Sequence, residues 1–137
     1  MVVRRREGWQ ANSTCRQVVI PNAGSEFSVQ HDPRGGFLEV SGEGFGASTV
    51  VLRHAPRLEG PWSGPEPIYR PPESDGPDPF VYGEKAHPKL SGAVLVVTYT
   101  ANSSDARLAT DMNIYFPRFA RVTIEGKPAA KLLPNHP

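Results

Sequence analysis

The sequence lacks the features that would identify a disulfide-rich, membrane-spanning or nucleic-acid-binding protein. Cys15 is the single cysteine among 137 residues, so no intrachain disulfide can form. Charge of one sign is also lacking, because 15 Lys and Arg residues face 14 Asp and Glu residues, for a formal net charge of +1. A chain with so little net charge has no strong field for nucleic acid or an anionic membrane, and we expect neither as a partner.

Long apolar runs are absent as well. No apolar stretch approaches the roughly 20 residues that a membrane helix needs. The basic start at Arg4–Arg6 has no apolar segment behind it, so the chain as written shows no signal peptide. A localisation or phosphate-binding run has about five to eight basic residues, and this shorter run favours a solvated terminus.

Glycine and proline, by contrast, are abundant, at 13 and 15 residues. They exceed average usage and favour many turns and short strands over helices. With 38% hydrophobic residues the chain can fold around a modest core, and its length suits one domain. The expected class is therefore a small all-β domain.

A pattern of short strands separated by turns occurs twice, over residues 25–71 and residues 86–126. Each group opens with a short segment and continues with two apolar runs, and the first group adds a proline-rich edge strand. The segments are Ser25–Val29, Gly36–Val40, Thr49–Ala55 and Glu66–Arg70 in the first group, and Ala86–Leu90, Ala93–Tyr99 and Phe119–Ile124 in the second. Repeats of three or four strands predict two consecutive antiparallel blades of a β-propeller.

The remaining segments are predicted to be less regular. Residues 1–24 form a partial strand or blade remnant with one weak strand at Arg16–Ile20, residues 72–85 a polar loop between the blades, and residues 127–137 a tail. The poorly capped segment Ser104–Met112 is expected to be a loop or a single turn. A closed propeller needs about four or more blades, so we interpret the chain as a fragment, completed by missing blades of a parent chain or by self-association.

Several segments in combination resemble a known family. They are Ser25–Val29 with Glu26, Val50–Arg53 followed by Gly60-Pro61-Trp62-Ser63, His87-Pro88 ahead of Leu95–Thr100, and Tyr115–Phe119. Over roughly residues 9–126 the chain is similar to the later blades of five-bladed propellers of the glycoside hydrolase family 43 clan. The similarity is to uncharacterised, mostly secreted microbial and fungal relatives of that clan.

The resemblance implies an all-β, five-bladed propeller, an extracellular location and carbohydrate as the partner. Glu26 resembles the general-acid glutamate that heads an inner strand, but the clan's other carboxylates come from earlier blades, so the segment is expected to be inactive alone. His87 is likewise expected to head an inner strand, and it resembles a histidine that lies near the axis beside a bound ion or water. Glu26 is followed by Phe27-Ser28 where the family's acids are usually followed by Gly-Pro, so a noncatalytic carbohydrate-binding or scaffolding propeller is the alternative.

Four residues are therefore candidates for a site, and each has a structural alternative. Glu26 is a candidate catalytic acid, because glycoside hydrolysis needs two carboxyl groups, or it caps a turn or pairs with Arg118. His87 contacts the substrate, or it satisfies backbone groups in a turn before Pro88. Arg118 holds a carboxylate, of Glu26 or of an acidic sugar, or it packs structurally. Trp62 stacks on a sugar or fills a gap between blades.

No motif for a metal or a cofactor is present in the sequence. No spacing of His and Cys matches a zinc site. The glycine-rich segment Gly42–Gly46 lacks the strand-to-helix context and the Lys-Ser/Thr ending of a phosphate loop. We therefore expect neither a metal nor a cofactor.

Overall fold

The computed structural model describes residues 3–5, 8–10, 18–32, 35–44, 46, 48–76, 78, 80–91, 94–103, 114–123 and 131–132. Within these ranges the regular structure is β, apart from short 3-10 segments, which confirms the all-β class. None of the helical structure in the described ranges has the length and hydrophobicity that a membrane crossing requires.

The strands form a hairpin and two antiparallel sheets. They are β1 (Val3–Arg5), β2 (Gly8–Gln10), β3 (Phe27–His31), β4 (Phe37–Glu43), β5 (Thr49–Ala55), β6 (Glu66–Tyr69), β7 (Val81–Ala86), β8 (Leu95–Ala101), β9 (Pro117–Val122) and β10 (Lys131–Leu132). The first sheet has the order β3-β4-β5-β6, and the second has the order β7-β8-β9 with the two-residue β10 paired to β9. Each sheet is a meander, in which every strand pairs with the next strand of the chain.

The hairpin that joins β3 and β4 shows why the first sheet forms where it does. Gly35 and Gly36 adopt positive φ angles of 113° and 82° in the connecting turn. The backbone N–H of Gly35 donates to Asp32 O at 2.9 Å. A Cβ on Gly36 would overlap the carbonyl oxygen of Ala55, so the close approach of β5 requires glycine at that position.

The two sheets pack face to face around one apolar core. From the first sheet the core contains Leu38, Val40, Val50 and Leu52, and from the second it contains Leu95, Val97, Tyr99, Ala120 and Val122. In each strand these side chains alternate with residues on the opposite face, as the period of two requires. Removing this apolar surface from water holds the sheets together. We call this region the shared core.

The first strands of the two sheets lie side by side. The backbone N–H of Ala86 donates to Ser28 Oγ at 2.7 Å. Glu26, just ahead of β3, lies beside Gly83 and Lys85 of β7. Residue numbers therefore rise in the same direction along both strands, and β3 and β7 run parallel. We call the end at which β3 and β7 begin and β8 ends the upper end, and the opposite end the lower end.

Three predictions of strand position are wrong. The second sheet opens at Val81 rather than at Ala86, so residues 81–85 are strand and not interblade loop. Residues 88–90 form a turn instead of an opening strand. Glycine and two charged residues inside Val81–Ala86 hide its alternation, which is why the sequence reads as a loop there. Val18–Ile20, the described part of the expected N-terminal strand, is not strand. The strands described ahead of β3 are instead β1 and β2.

The other expectations have mixed outcomes. In the first sheet the predicted strand Thr49–Ala55 is confirmed. The bounds of the neighbouring strands differ from the predicted bounds by only a few residues. The polar segment before β7 contains a 3-10 helix at Pro72–Asp75. Ser104–Met112 lies outside the described residues, and so does the expected tail except for β10.

Candidate functional site

A β-bulge in β7 brings a carboxylate into the space between the sheets. Tyr82 pairs with Thr100 and Lys85 with Thr98, so Gly83 and Glu84 together face a single residue of β8. Gly83 has a φ of 75°, as expected for the glycine that starts this kind of bulge. Bulges redirect side chains, and here Glu84 becomes only 4% exposed.

The Glu84 carboxylate lies directly against Gly42 of β4. A Cβ on Gly42 would overlap the carboxylate, so the contact depends on glycine at this position. The Oε1 atom of Glu84 is buried and has no hydrogen-bond partner among the described residues. Sequence reasoning missed Glu84, although a glycine inside a strand pattern is a signal for a bulge.

Glu26 lies at the upper end, immediately before β3. Its Oε1 is 3.8 Å from Lys85 Nζ, and its Oε2 would lie 3.1 Å from a Cβ on Gly83. The Glu26 side chain is 43% exposed, so the ion pair is a surface pair that stabilises weakly and leaves the carboxylate accessible to a ligand. The alternative pairing of Glu26 with Arg118 is not observed, because Arg118 binds a different carboxylate.

That carboxylate belongs to Glu73 of the 3-10 helix. Arg118 Nε is 2.6 Å from Glu73 Oε1, and Tyr99 Oη donates to Glu73 Oε2 at 3.0 Å. Arg118 also donates from Nη1 to the Phe116 carbonyl at 3.2 Å. Charge-assisted bonds of this geometry are the stronger ones, so the guanidinium is held in one orientation.

The phenols beneath this ion pair stay neutral at ordinary pH. Burial raises the pKa of Tyr99 far above its usual value, and the neighbouring Tyr69 hydroxyl and Glu73 carboxylate raise it further. Burial also raises the pKa of Tyr69, against the opposing effect of its contact with Tyr99. Tyr99 therefore remains a hydrogen-bond donor to Glu73 over the whole physiological pH range.

A cavity of about 200 Å³ opens beside Arg118 at the upper end of the second sheet. It lies between the segment after the 3-10 helix, the end of β8 and the start of β9. Its polar lining comes from Glu73, Asp78, Asn102, Ser103 and Arg118, and Phe80 supplies an aromatic wall.

A hydrogen-bond network joins three other polar residues of the cavity lining, Asp78, Asn102 and Ser103. Ser103 Oγ donates to Asp78 Oδ2 at 3.0 Å. The Ser103 backbone N–H donates to Asn102 Oδ1 at 2.7 Å, and Asn102 Nδ2 donates to Tyr82 Oη at 3.5 Å. The network thus links the cavity to the residue that precedes the β7 bulge.

His87 lies at the lower end and follows β7 instead of heading it. Its Nε2 is 2.7 Å from Thr98 Oγ1, and its backbone carbonyl accepts from the N–H groups of Leu90 and Ser91 at 3.0 and 3.1 Å. These are the contacts of a turn histidine. The prediction that His87 heads an inner strand is therefore wrong.

Trp62 also lies at the lower end, in the loop between β5 and β6. Its Nε1 donates to the Leu58 carbonyl at 3.1 Å within the same loop. The structure therefore brings Glu26 and Arg118 to the upper end and places His87 and Trp62 at the lower end. Over the described residues, no group of three or more His, Cys, Asp or Glu side chains has the arrangement of a metal site.

No protein-family model, curated protein or solved structure matches this chain. What the chain does is therefore argued from its own geometry.

Proposed function

We propose that the two sheets are consecutive blades of a β-propeller. Each is a meander of antiparallel strands, their first strands run parallel and side by side, and one face of each packs against the other. Adjacent blades around a central axis have this relation. In this arrangement β3 and β7 are the inner strands, and the five-bladed ring that the family resemblance implies is part of the same proposal.

The outward faces of the two sheets support this arrangement. Phe27 and Val29 are 47% and 37% exposed on the first sheet, on the face away from the shared core. Phe119 is 37% exposed on the corresponding face of the second sheet. Further blades, from a parent chain or from another copy of this one, would cover these apolar side chains as the two sheets cover each other.

The function we propose is carbohydrate binding at the upper end. The observation that carries the proposal is that the exposed Glu26 carboxylate and the polar cavity beside Arg118 lie at the same end of the sheets. Carboxylate, amide and guanidinium groups bond to the paired donor and acceptor of a sugar hydroxyl, and aromatic walls pack on the ring. An extracellular location belongs to the same proposal and is tested by fractionation of the producing cells.

A glycosidase-like activity is the second candidate, and Glu84 is the observation that favours it. Hydrolysis needs two carboxyl groups, about 5 Å apart in retaining enzymes and roughly 6.5–9.5 Å apart in inverting ones. Glu84 follows Gly83, which adjoins the Glu26 carboxylate. Glu84 is buried against Gly42, however, so binding is favoured over catalysis, and we expect no turnover by this chain alone.

The replacement Glu26→Gln tests both functions. It keeps the size of the side chain and removes its charge, so we expect affinity for the preferred sugar on a glycan array to fall by about tenfold or more. Glu66→Gln makes the same chemical change on the exposed edge strand β6 and serves as the matched control.

The same proteins are assayed with a panel of aryl glycosides. Turnover that Glu26→Gln abolishes and Glu66→Gln preserves would establish catalysis in place of simple binding. Binding that is identical in all three proteins, or absent from all three, would contradict a site at Glu26.

A further inference from the structure

The cavity beside Arg118 has the dimensions of a subsite for one sugar ring. Its volume of about 200 Å³ is below the roughly 300–1,000 Å³ of pockets that hold drug-sized ligands. An oligosaccharide would therefore place a single ring in it. Phe80 provides an apolar wall of the cavity, and the polar side chains given above complete the lining.

The charged groups of the cavity determine which ring fits. Among the described residues that line the cavity, the Arg118 guanidinium is the cation, and Glu73 compensates it at 2.6 Å. Tyr99 is fully buried and holds the other oxygen of Glu73, so this ion pair is organised before any ligand arrives. A ligand carboxylate would have to compete with Glu73 for Arg118, and it would also approach the Asp78 carboxylate.

We propose that this cavity is a single-ring subsite selective for neutral sugars over acidic ones, with Arg118 and Asp78 hydrogen-bonding to ring hydroxyls and Glu73 setting the selectivity. The proposal rests on the proposed function, that the chain binds carbohydrate. It replaces the sequence interpretation in which Arg118 holds an acidic sugar. Glu73 is a positioning residue, because it acts through Arg118.

The first experiment compares neutral and acidic ligands on the whole chain. Glucose, galactose, glucuronic acid and galacturonic acid are each titrated into the protein, and their dissociation constants are measured by nuclear magnetic resonance. We expect each neutral sugar to bind at least about tenfold more tightly than its matching uronic acid, because unfavourable charge contacts of this kind exceed about 1.4 kcal/mol. Tighter binding of the uronic acids would overturn the subsite.

The second experiment uses Glu73→Gln and Asp78→Asn. Glu73→Gln removes the charge that compensates Arg118, so we expect uronic acids to gain about tenfold in affinity. Asp78→Asn should weaken binding of neutral sugars and leave the fold intact. Asp75→Asn is the matched control, because Asp75 lies on the same 3-10 helix as Glu73 but outside the cavity. It should change neither the affinity for neutral sugars nor the affinity for uronic acids.

The outcomes separate this inference from the function on which it rests. If Glu26→Gln weakens binding and neither cavity variant alters affinity or selectivity, the subsite is wrong and carbohydrate binding stands. If no sugar binds the unmodified chain, the proposed function is wrong and the subsite fails with it. A gain of uronic-acid binding in Glu73→Gln requires a folded cavity, so misfolding cannot imitate it.

Discussion

At the scale of single residues, the first sheet contains a buried ion pair on the face opposite the shared core. Glu39 and Arg53 are directly opposite each other in β4 and β5, 2.9 Å apart, with side chains 0% and 2% exposed. Arg53 also donates to Ser41 Oγ at 3.1 Å. Glu39 Oε1 has no hydrogen-bond partner among the described residues. If Arg53 is removed, the buried Glu39 charge therefore loses its main compensation.

We expect Arg53→Met to lower the free energy of unfolding by about 3–5 kcal/mol, because it leaves the Glu39 charge buried without its cation. The double replacement Glu39→Met with Arg53→Met should recover most of that loss, since no charge then remains in the site. Urea unfolding measures both, and Arg57→Met, at an exposed position after β5, is the control. A single variant within about 1 kcal/mol of the unmodified protein would contradict this account of the pair.

Tyr99 gives a prediction for alkaline pH. Its pKa in the folded protein is raised by burial above the ordinary value of 10.0, so above that pH the unfolded chain holds fewer protons than the folded one. Stability is therefore fully present below pH 10.0 and falls as the pH rises further, by up to about 1.4 kcal/mol per pH unit for this group.

The variant Tyr99→Phe lacks this titration. It should be less stable at neutral pH, through loss of the bond to Glu73, and its deficit should shrink between pH 10 and pH 12 as the unmodified protein loses stability. Thermal unfolding at a series of pH values measures the difference. Two parallel stability profiles over that interval would show that the Tyr99 phenol titrates as easily when folded as when unfolded.

At the scale of elements, the bulge in β7 is where sequence reasoning and structure differ most. The spacing of apolar residues predicts a strand only where the period of two is kept, and the extra residue at Gly83-Glu84 breaks that period. The first sheet was predicted well because its strands keep the period and end in turns rich in Gly, Pro and Asp. The same error misplaced a residue of the predicted site. Because β7 starts at Val81, five residues before the predicted start at Ala86, His87 follows the strand instead of heading it.

The contact between β7 and β4 can be tested by a double-mutant cycle. Gly42→Ala should destabilise the protein by about 1–3 kcal/mol, because the new methyl group overlaps the Glu84 carboxylate. In a Glu84→Ala background the same change should be neutral or slightly stabilising, since the obstacle is gone and alanine restricts the unfolded chain.

The matched control for this cycle is Gly64→Ala, because no heavy atom beyond Gly64 and its two chain neighbours lies within 4 Å of the position its Cβ would take. Denaturant unfolding of the four proteins in the cycle gives the coupling free energy directly. Equal costs of Gly42→Ala in both backgrounds would mean that the carboxylate does not lie over Gly42 in solution.

At the scale of the whole molecule, the two sheets depend on one core and should unfold together. Leu52 of β5 is 1% exposed and belongs to the shared core with Val97 of β8. We expect Leu52→Ala to cost about 2–5 kcal/mol and to reduce amide-exchange protection in both sheets equally. Leu58→Ala, at a side chain 54% exposed, should cost less than about 0.5 kcal/mol. Loss of protection confined to the first sheet would show that the sheets are independent units.

The sequence by itself determined the all-β class and the strands of the first sheet, because those depend on local periodicity and turn residues within a few positions. Only the tertiary structure decided that β3 and β7 run parallel, that Glu84 lies buried on Gly42, and that Glu73 holds Arg118 beside a cavity. The physical reason is that each of these contacts joins residues more than 40 positions apart. Which distant side chains meet is set by how the sheets pack over a shared apolar face, and the local pattern carries no information about that choice.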